Sequence, residues 1–232
     1  MISVIIPTFN EEACIEKTIA YLKSNVAHDQ AFEVLVCDGG STDSTIQLAD
    51  AAGAKTWVSP LKGRSAQMNF GASKANGQIL YFLHADTIPP VDFAQHIIDQ
   101  VNRGYRAGCF TLSFDEVHWF LKANCWFTSF DFNYFRFGDQ SLFITRDVFL
   151  KAGGFCEKHT VMEDQEIIRR IKRITKFKII NKPVITSARK YLENGIYKTQ
   201  GVFFLIFLMY RLGYSQTALI ATYRKLIRQD KV

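Results

Sequence analysis

The chain lacks the marks of several large protein classes. Its five cysteines, Cys14, Cys37, Cys109, Cys125 and Cys156, are odd in number, scattered and without a C-x-x-C pair. Neither a disulfide framework nor a zinc site is therefore expected, and a reduced, cytosolic protein is the simplest reading. No G-x-G-x-x-G follows the first apolar run and no G-x-x-x-x-G-K-[ST] occurs anywhere, which disfavours dinucleotide dehydrogenases and P-loop nucleotidases. The first apolar run ends in Pro-Thr-Phe-Asn rather than D-x-D-x-[TV], so phosphatases with an aspartate nucleophile are disfavoured too. Long apolar runs are also missing. "VFFLIFLMY" holds nine consecutive residues before Arg211, whereas a spanning helix needs about 20. "MISVIIPTFN" has no basic n-region and stops at Pro7, which makes it a poor signal peptide and a good first strand. No internal repeat or low-complexity linker interrupts the sequence.

What is present suits one large core: 232 residues, 48% hydrophobic and 22% charged, with a single domain as the default. The charge is unevenly spread. Up to Gln165 there are 13 Lys and Arg against 19 Asp and Glu, a net of −6; from Glu166 onward there are 15 against 3, a net of +12. A basic C-terminal portion suits an anionic partner such as a membrane surface, nucleic acid or a phosphorylated ligand, or is simply a solvated basic face.

The first half alternates strand and helix. "SVIIP", "FEVLVCD", "KTWVS" and "QILYFLHAD" read as strands. Between them, a helix over "EEACIEKTIAYLKSN" capped by Asn10, a short helix ended by Gly53, and "GRSAQMNFGASKANG" read as helices. Continuous apolar strands separated by helices imply a parallel sheet covered on both faces, with ligands bound beyond the C-terminal strand ends. Further on, "AGCFTLSFD" and "QSLFITRDVF" read as strands, and residues 118–140 are dense in aromatics. "EDQEIIRRIKRI" has apolar residues at 167, 168, 171 and 174, a helical spacing with a basic opposite face.

"QILYFLHADTIPP" is the informative stretch, because a buried strand ends in an ionisable pair. Thr8, Asn10, Asp38 and Asp86 all follow predicted strands, so one crevice gathers them. In it, Asp86 is the natural ligand for a hard divalent cation shared with a nucleotide diphosphate. His84, on the same side of an extended chain, would assist by coordination or by bonding the diphosphate. The alternative for a lone strand-end aspartate is a cap or turn. Glu163-Asp164 at a helix start would equally be a charged N-terminus or a catalytic pair. Asp139-Gln140 after Gly138 would be a turn or an acceptor-side contact.

"VIIPTFNEE", "VCDGGSTDST", "GRSAQMNFGA", "LHADT", "GDQSLF" and "MEDQEI", in this order, resemble the motifs of family 2 glycosyltransferases with the GT-A fold. With "TSARKY" the chain is similar to the subgroup known as rSAM/selenodomain-associated transferases. The resemblance implies an α/β, Rossmann-like, mostly parallel central sheet flanked by helices, with a transferase domain at 1–190 and a helical extension at 191–232. It assigns Pro7, Thr8, Phe9 and Glu11 to the nucleoside, Asp38 to the uracil or ribose, and Arg64 to the nucleotide. His84 and Asp86 match the metal motif D-x-D, with His84 in place of its first carboxylate. Asp164, beside Glu163, matches the general base. Apart from the resemblance, the aromatic stretch 118–140 suits a helix in the core with its Tyr134–Asp139 end at the acceptor. The activity implied is inverting transfer from a nucleotide sugar, UDP-linked by default, with Mn²⁺ or Mg²⁺. The expected partners are that donor and an unknown acceptor, which a lipid link would suit; nucleic acid is not among them. The C-terminal helices would pack in the core, form a homodimer seam, or dock on an anionic membrane at its inner, cytoplasmic face. Two other readings stay open: a sugar-1-phosphate nucleotidyltransferase, although its early G-x-G-x-R loop is missing, and an inactive membrane-surface or nucleotide-sugar binding protein on the same fold.

Overall fold

The computed structural model describes residues 1–27, 30–130 and 138–228. Its core is an eight-stranded sheet built from β1 (Ile2–Thr8), β2 (Phe32–Asp38), β3 (Lys55–Val58), β4 (Ile79–Phe82), β5 (Thr87–Ile88), β6 (Ala107–Phe114), β7 (Leu142–Thr145) and β8 (Phe177–Thr186), in the order β3-β2-β1-β4-β7-β6-β8-β5. The first four neighbours are parallel, as the strand-helix alternation predicts. Beyond them the sheet is mixed. β7 runs antiparallel to β4 and β6, β6 is parallel to β8, and the two-residue β5 pairs antiparallel with β8.

Both faces of the parallel half are covered. Ile2, Val4 and Ile6 of β1 pack in one apolar layer with Ile15, Ile19 and Leu22 of α1 (Ile15–Ser24) and Phe93 and Ile97 of α4 (Phe93–Asn102). Ile5, Leu35 and Leu80 point the other way, toward Met68 and Ala72 of α3 (Arg64–Lys74), Val148 and Phe149 of α6 (Arg146–Ala152) and Ile167 and Ile171 of α7 (Glu163–Ile174). The period-two split of an all-apolar strand is what burial on both faces requires. α3 lies close: a Cβ on Gly71 would come within 2.5 Å of Ile5 Cγ2 and 2.8 Å of Cys37 Sγ. That approach delivers the first residue of α3, Arg64, to the strand tips.

Three expectations are corrected. Asn10 does not cap a helix that begins at once. It adopts a left-handed backbone, φ 52°, and α1 starts only at Ile15, because asparagine tolerates this conformation in a tight loop. The strand "QILYFLHAD" stops at Phe82; Leu83 and His84 precede a turn closed by the Thr87 N–H on the His84 carbonyl at 3.2 Å. The aromatic segment forms α5 (Trp119–Phe127), which buries Leu121 while leaving Trp119 and Trp126 exposed. It lies on the surface and is not an ordinary core helix.

The C-terminal helices α8 (Arg189–Asn194), α9 (Ile196–Arg211) and α10 (Gln216–Leu226) follow the last strand. Val202 and Ile206 of α9 pack on Leu219 and Tyr223 of α10 and against Val161 and Met162 just before α7. Gln216 fastens the start of α10 to the same loop by accepting from the backbone N–H groups of Thr160 and Val161, both at 3.1 Å. The opposite side of α9 exposes Tyr197, Phe204, Leu208 and Leu212. Among the described residues no helix is long and apolar enough to cross a membrane.

Candidate active site

The tips of β1 and β2 are stitched into one unit. Thr8 and Asp38 sit opposite each other in the parallel ladder. The wholly buried Asp38 accepts from the Thr8 hydroxyl at 3.0 Å, from the Ser41 hydroxyl, and from the backbone N–H groups of Gly40 and Ser41, both at 2.7 Å. Gly40 has φ +93°, a conformation that favours glycine and lets the loop fold back over the carboxylate. Across the gap, Asn10 N–H donates to Ser41 Oγ (2.8 Å), Asn10 Oδ1 accepts from Thr42 N–H (2.9 Å), and Glu11 N–H donates to Thr45 Oγ1 (2.8 Å). Gln67 of α3 locks the pair from beneath, its amide donating to the carbonyls of Thr8 and Cys37 at 2.6 and 2.7 Å. Asp38, expected to touch the nucleoside, binds Thr8 by one of these bonds and the Gly40–Ser41 turn by the other three, and that turn in turn holds the Pro7–Glu11 loop through Asn10.

The Asp86 turn lies beside it, held by Thr18, whose hydroxyl donates to the Ala85 carbonyl at 2.6 Å. His84 and Asp86 therefore belong to a turn and not to one side of an extended strand. His84 Nδ1 lies 3.0 Å from Asp139 Oδ1, which joins an expected metal residue to an expected acceptor residue. Burial raises the Asp86 carboxyl above the ordinary aspartate range; His84 pulls it down, Asp139 and Glu11 push it up, and Arg64 opposes them. Asp139 goes the other way. Burial disfavours its charge, but the bond from His84 and the charges of His84, Lys190 and Arg64 win, so it stays ionised well below the usual range. Gln140 turns away into the core, its amide 3.4 Å from the Phe110 carbonyl. Tyr134 lies outside the described residues.

Glu163 and Asp164 open α7, after Met162 in a left-handed conformation. Helix N-termini favour carboxylates, yet this turn also faces a cation: Arg64 Nη1 is 3.2 Å from Glu163 Oε1, with the glutamate 4% and the arginine 43% exposed. Burial lowers the proton affinity of Arg64, but Glu163, Asp164, Asp139 and Asp86, in that order, raise it well beyond the ordinary value. One guanidinium thus sees four acidic residues from three segments. Burial, then the neighbouring Glu163, lift the Asp164 carboxyl to about 7, against the pull of His84 and Arg64.

These groups border a cavity of about 840 Å³. Pro7, Thr8, Phe9, Glu11, Arg64, Asp139, Glu163 and Asp164 line it, whereas Asp38, His84, Asp86 and Gln140 are not among its lining residues. The far wall is different in character, made of Tyr191, Phe203, Phe207 and Tyr223 with Lys190 and Arg224. Phe203, Phe207, Tyr223 and Arg224 lie in the helices expected in the core, at a homodimer seam or on a membrane, and not at the site. Lys190 sits in "TSARKY", which carried a resemblance but no chemistry, and Gln67 is one residue of "GRSAQ" with nothing in its spacing to suggest a buried clamp.

Among the described residues no three His, Cys, Asp or Glu side chains are grouped to hold an ion, so there is no preformed protein cage. The half-buried Asp86, its charge disfavoured by burial and by Asp139 and Glu11, does fit a hard cation that takes one or two carboxylates and completes its shell with substrate oxygens.

A family model described as "Glycosyl transferase family 2" matches residues 3–156. The protein RfbJ of Shigella flexneri is 33% identical over 100 residues, covering 43% of this chain and 75% of that protein. Among solved structures, S. aureus TarS residues 1–349 in complex with UDP superposes with a TM-score of 0.66 at 16% identity, over 80% of this chain and 60% of that one. The mannosyltransferase PcManGT from Pyrobaculum calidifontis, in complex with GDP-Man and Mn²⁺, gives 0.63 at 18%, over 80% and 56%. This chain therefore spans little more than half of these two structures, and the likeness to them is one of GT-A fold.

Proposed function

The chain belongs to glycosyl transferase family 2, and on that premise we propose that it is an inverting, metal-assisted transferase moving a sugar from a nucleotide-linked donor, UDP by default. The observation that carries the reading is the convergence of Asp86, Asp139, Glu163 and Asp164 around Arg64 beside one cavity. The Pro7–Glu11 loop holds the nucleoside, with Phe9 stacking near the base and Asp38 keeping the loop in shape. Asp86 is the carboxylate that would hold Mn²⁺ or Mg²⁺, beside the His84–Asp139 pair. Such an ion supplies positive charge to the diphosphate as it departs. Arg64 adds its own charge by exchanging Glu163 for a phosphate oxygen. On the opposite side of the sugar, Asp164 takes the proton of the acceptor hydroxyl while the new bond to the anomeric carbon forms and the bond to the phosphate oxygen breaks. A carboxyl lifted to about 7 suits a base working near neutral pH.

Residues 1–190 serve in this reading as the transferase unit, and the helices beyond 191 as an extension that walls the acceptor side. The exposed Phe204, Leu208 and Leu212, with basic residues close by in sequence, suit contact with an anionic membrane at its cytoplasmic face. Salt-sensitive co-sedimentation with anionic liposomes would support that contact; a stable dimer burying the stripe would assign it to a homodimer seam. The reaction itself is tested by nucleotide release from a panel of UDP- and GDP-sugars with Mn²⁺, with Mg²⁺ and with chelator. Metal-dependent release from at least one donor is expected. Tight nucleotide binding with no turnover of any donor would favour the binding-protein alternative.

A further inference from the structure

Resting on the transferase reading above, we propose that Gln216, the first residue of α10, is a positioning residue for Asp164: it fixes the loop that aims this base at the acceptor hydroxyl. The C-terminal helices then do more than wall the cavity. The loop is residues 153–162, between α6 and α7, and Thr160, Val161 and Met162 line the cavity directly before Glu163 and Asp164. The N-cap position of α7 is Met162, whose side chain makes no capping bond and lacks the oxygen with which serine, threonine, aspartate or asparagine would accept an N–H. Its backbone is left-handed, φ 65°, a conformation that such a residue keeps where its surroundings impose it.

Two side chains from other elements do so. From α10, the Gln216 amide uses its whole hydrogen-bonding capacity on three consecutive loop residues. Its Oε1 accepts from the N–H groups of Thr160 and Val161, both at 3.1 Å, and its Nε2 donates to the Val161 carbonyl and to His159 Nδ1, both at 3.2 Å. From α3, the Ser65 hydroxyl donates to the His159 carbonyl at 3.0 Å. Ser65 follows Arg64, which itself reaches Glu163, so the chain is fastened at 159–161 and again at 163, with Asp164 next. Val161 and Met162 also pack on the cluster of Val202, Ile206, Leu219 and Tyr223, and the His159 ring meets Tyr210 edge-on at 6.0 Å. Apolar packing is non-directional and holds the loop down without setting where it stops; the four bonds of one amide set that. The requirement is strict, because a misplacement of about 1 Å in a reacting group costs on the order of 10²-fold in rate.

The test is nucleotide release from the most active donor of the panel with Mn²⁺, water taking the acceptor's place, by the unaltered full chain, Gln216→Ala and Gln216→Glu. UDP titration and hydrogen–deuterium exchange accompany it. In Gln216→Ala, kcat should fall by about tenfold or more with donor KM and UDP affinity unchanged. Residues 159–166 should exchange faster in that variant while residues 219–226 of α10 keep their protection. Gln216→Glu keeps both acceptor bonds to the Thr160 and Val161 N–H groups and should restore much of the lost kcat. Unchanged kcat in Gln216→Ala, or UDP affinity falling in step with kcat, would overturn the positioning role, as would a kcat in Gln216→Glu no better than in Gln216→Ala. No release from any donor by the unaltered protein would instead overturn the transferase reading.

Discussion

Replacing Asp38 by alanine tests how the donor loop is built. The carboxylate is wholly buried and accepts from two hydroxyls and two backbone N–H groups. The Thr8 and Ser41 hydroxyls can turn to other partners, but the Gly40 and Ser41 N–H groups are fixed by the loop. Each unsatisfied donor costs about 1–3 kcal/mol when buried. Gly40 is exposed enough for water to reach it, so a total of about 3 kcal/mol is expected. At about 2.1 cal/mol/K per residue over 232 residues, that lowers the melting temperature by about 6 °C. UDP affinity should fall by about tenfold as well, because the loop carrying Pro7 to Glu11 loses its staple. Asp38→Asn keeps the shape, and its amide oxygen can accept from the two N–H groups while its NH₂ donates to the hydroxyls, so it should lose less than alanine. Differential scanning fluorimetry and UDP titration read both effects. A melting temperature within about 1 °C of the unaltered protein would refute the reasoning, since no buried hub of four bonds can be removed so cheaply.

Asp164→Asn preserves volume and removes basicity, so transfer should fall by about 10² to 10⁴ while UDP affinity holds; steady-state kinetics beside calorimetry separates the two, and near-normal transfer would exclude Asp164 as the base. Acid sensitivity is assigned to Glu33. Burial pushes its carboxyl up, but bonds from Lys55, the Asn76 N–H, Ser3 and the Asn76 amide outweigh this and bring it from 4.5 to about 2. A lowered value contributes stability that is fully present above pH 4.5 and lost as pH falls from there toward 2. Fully expressed this is about 3 kcal/mol, and with Lys55 56% exposed screening trims it to about 2 kcal/mol. Urea midpoints between pH 6 and 2 should therefore fall less steeply in Glu33→Gln than in the unaltered protein.

Where an element is fixed by its own residues, the sequence was legible. The apolar runs of β1, β2 and β4 read as strands buried on both faces, and the acidic start of α7 followed by apolar residues at 167, 168 and 171 reads as a helix anchored through one side. Pairings between distant segments were not legible. Nothing near His84 announces Asp139, 55 positions on, as its partner, and nothing near Asp38 shows that a loop will use all its bonds. Gln140 looked like its neighbour Asp139, yet the turn at Gly138–Gln140, just before β7, sends one residue to the cavity and the other to the core. The aromatic wall was hidden for another reason. α9 is apolar on both sides, so its pattern carries no period from which to tell the side facing Tyr223 from the side facing outward.

The central claim is that Asp86 ties a divalent cation to the departing diphosphate, and turnover of a nucleotide-sugar donor by the unaltered protein and by Asp86→Ala, each with and without Mn²⁺, tests it most directly. The account predicts Mn²⁺-dependent release of nucleotide by the unaltered protein and none above the chelated background by the variant, with the variant still folded. Full Mn²⁺-dependent release by Asp86→Ala would contradict it.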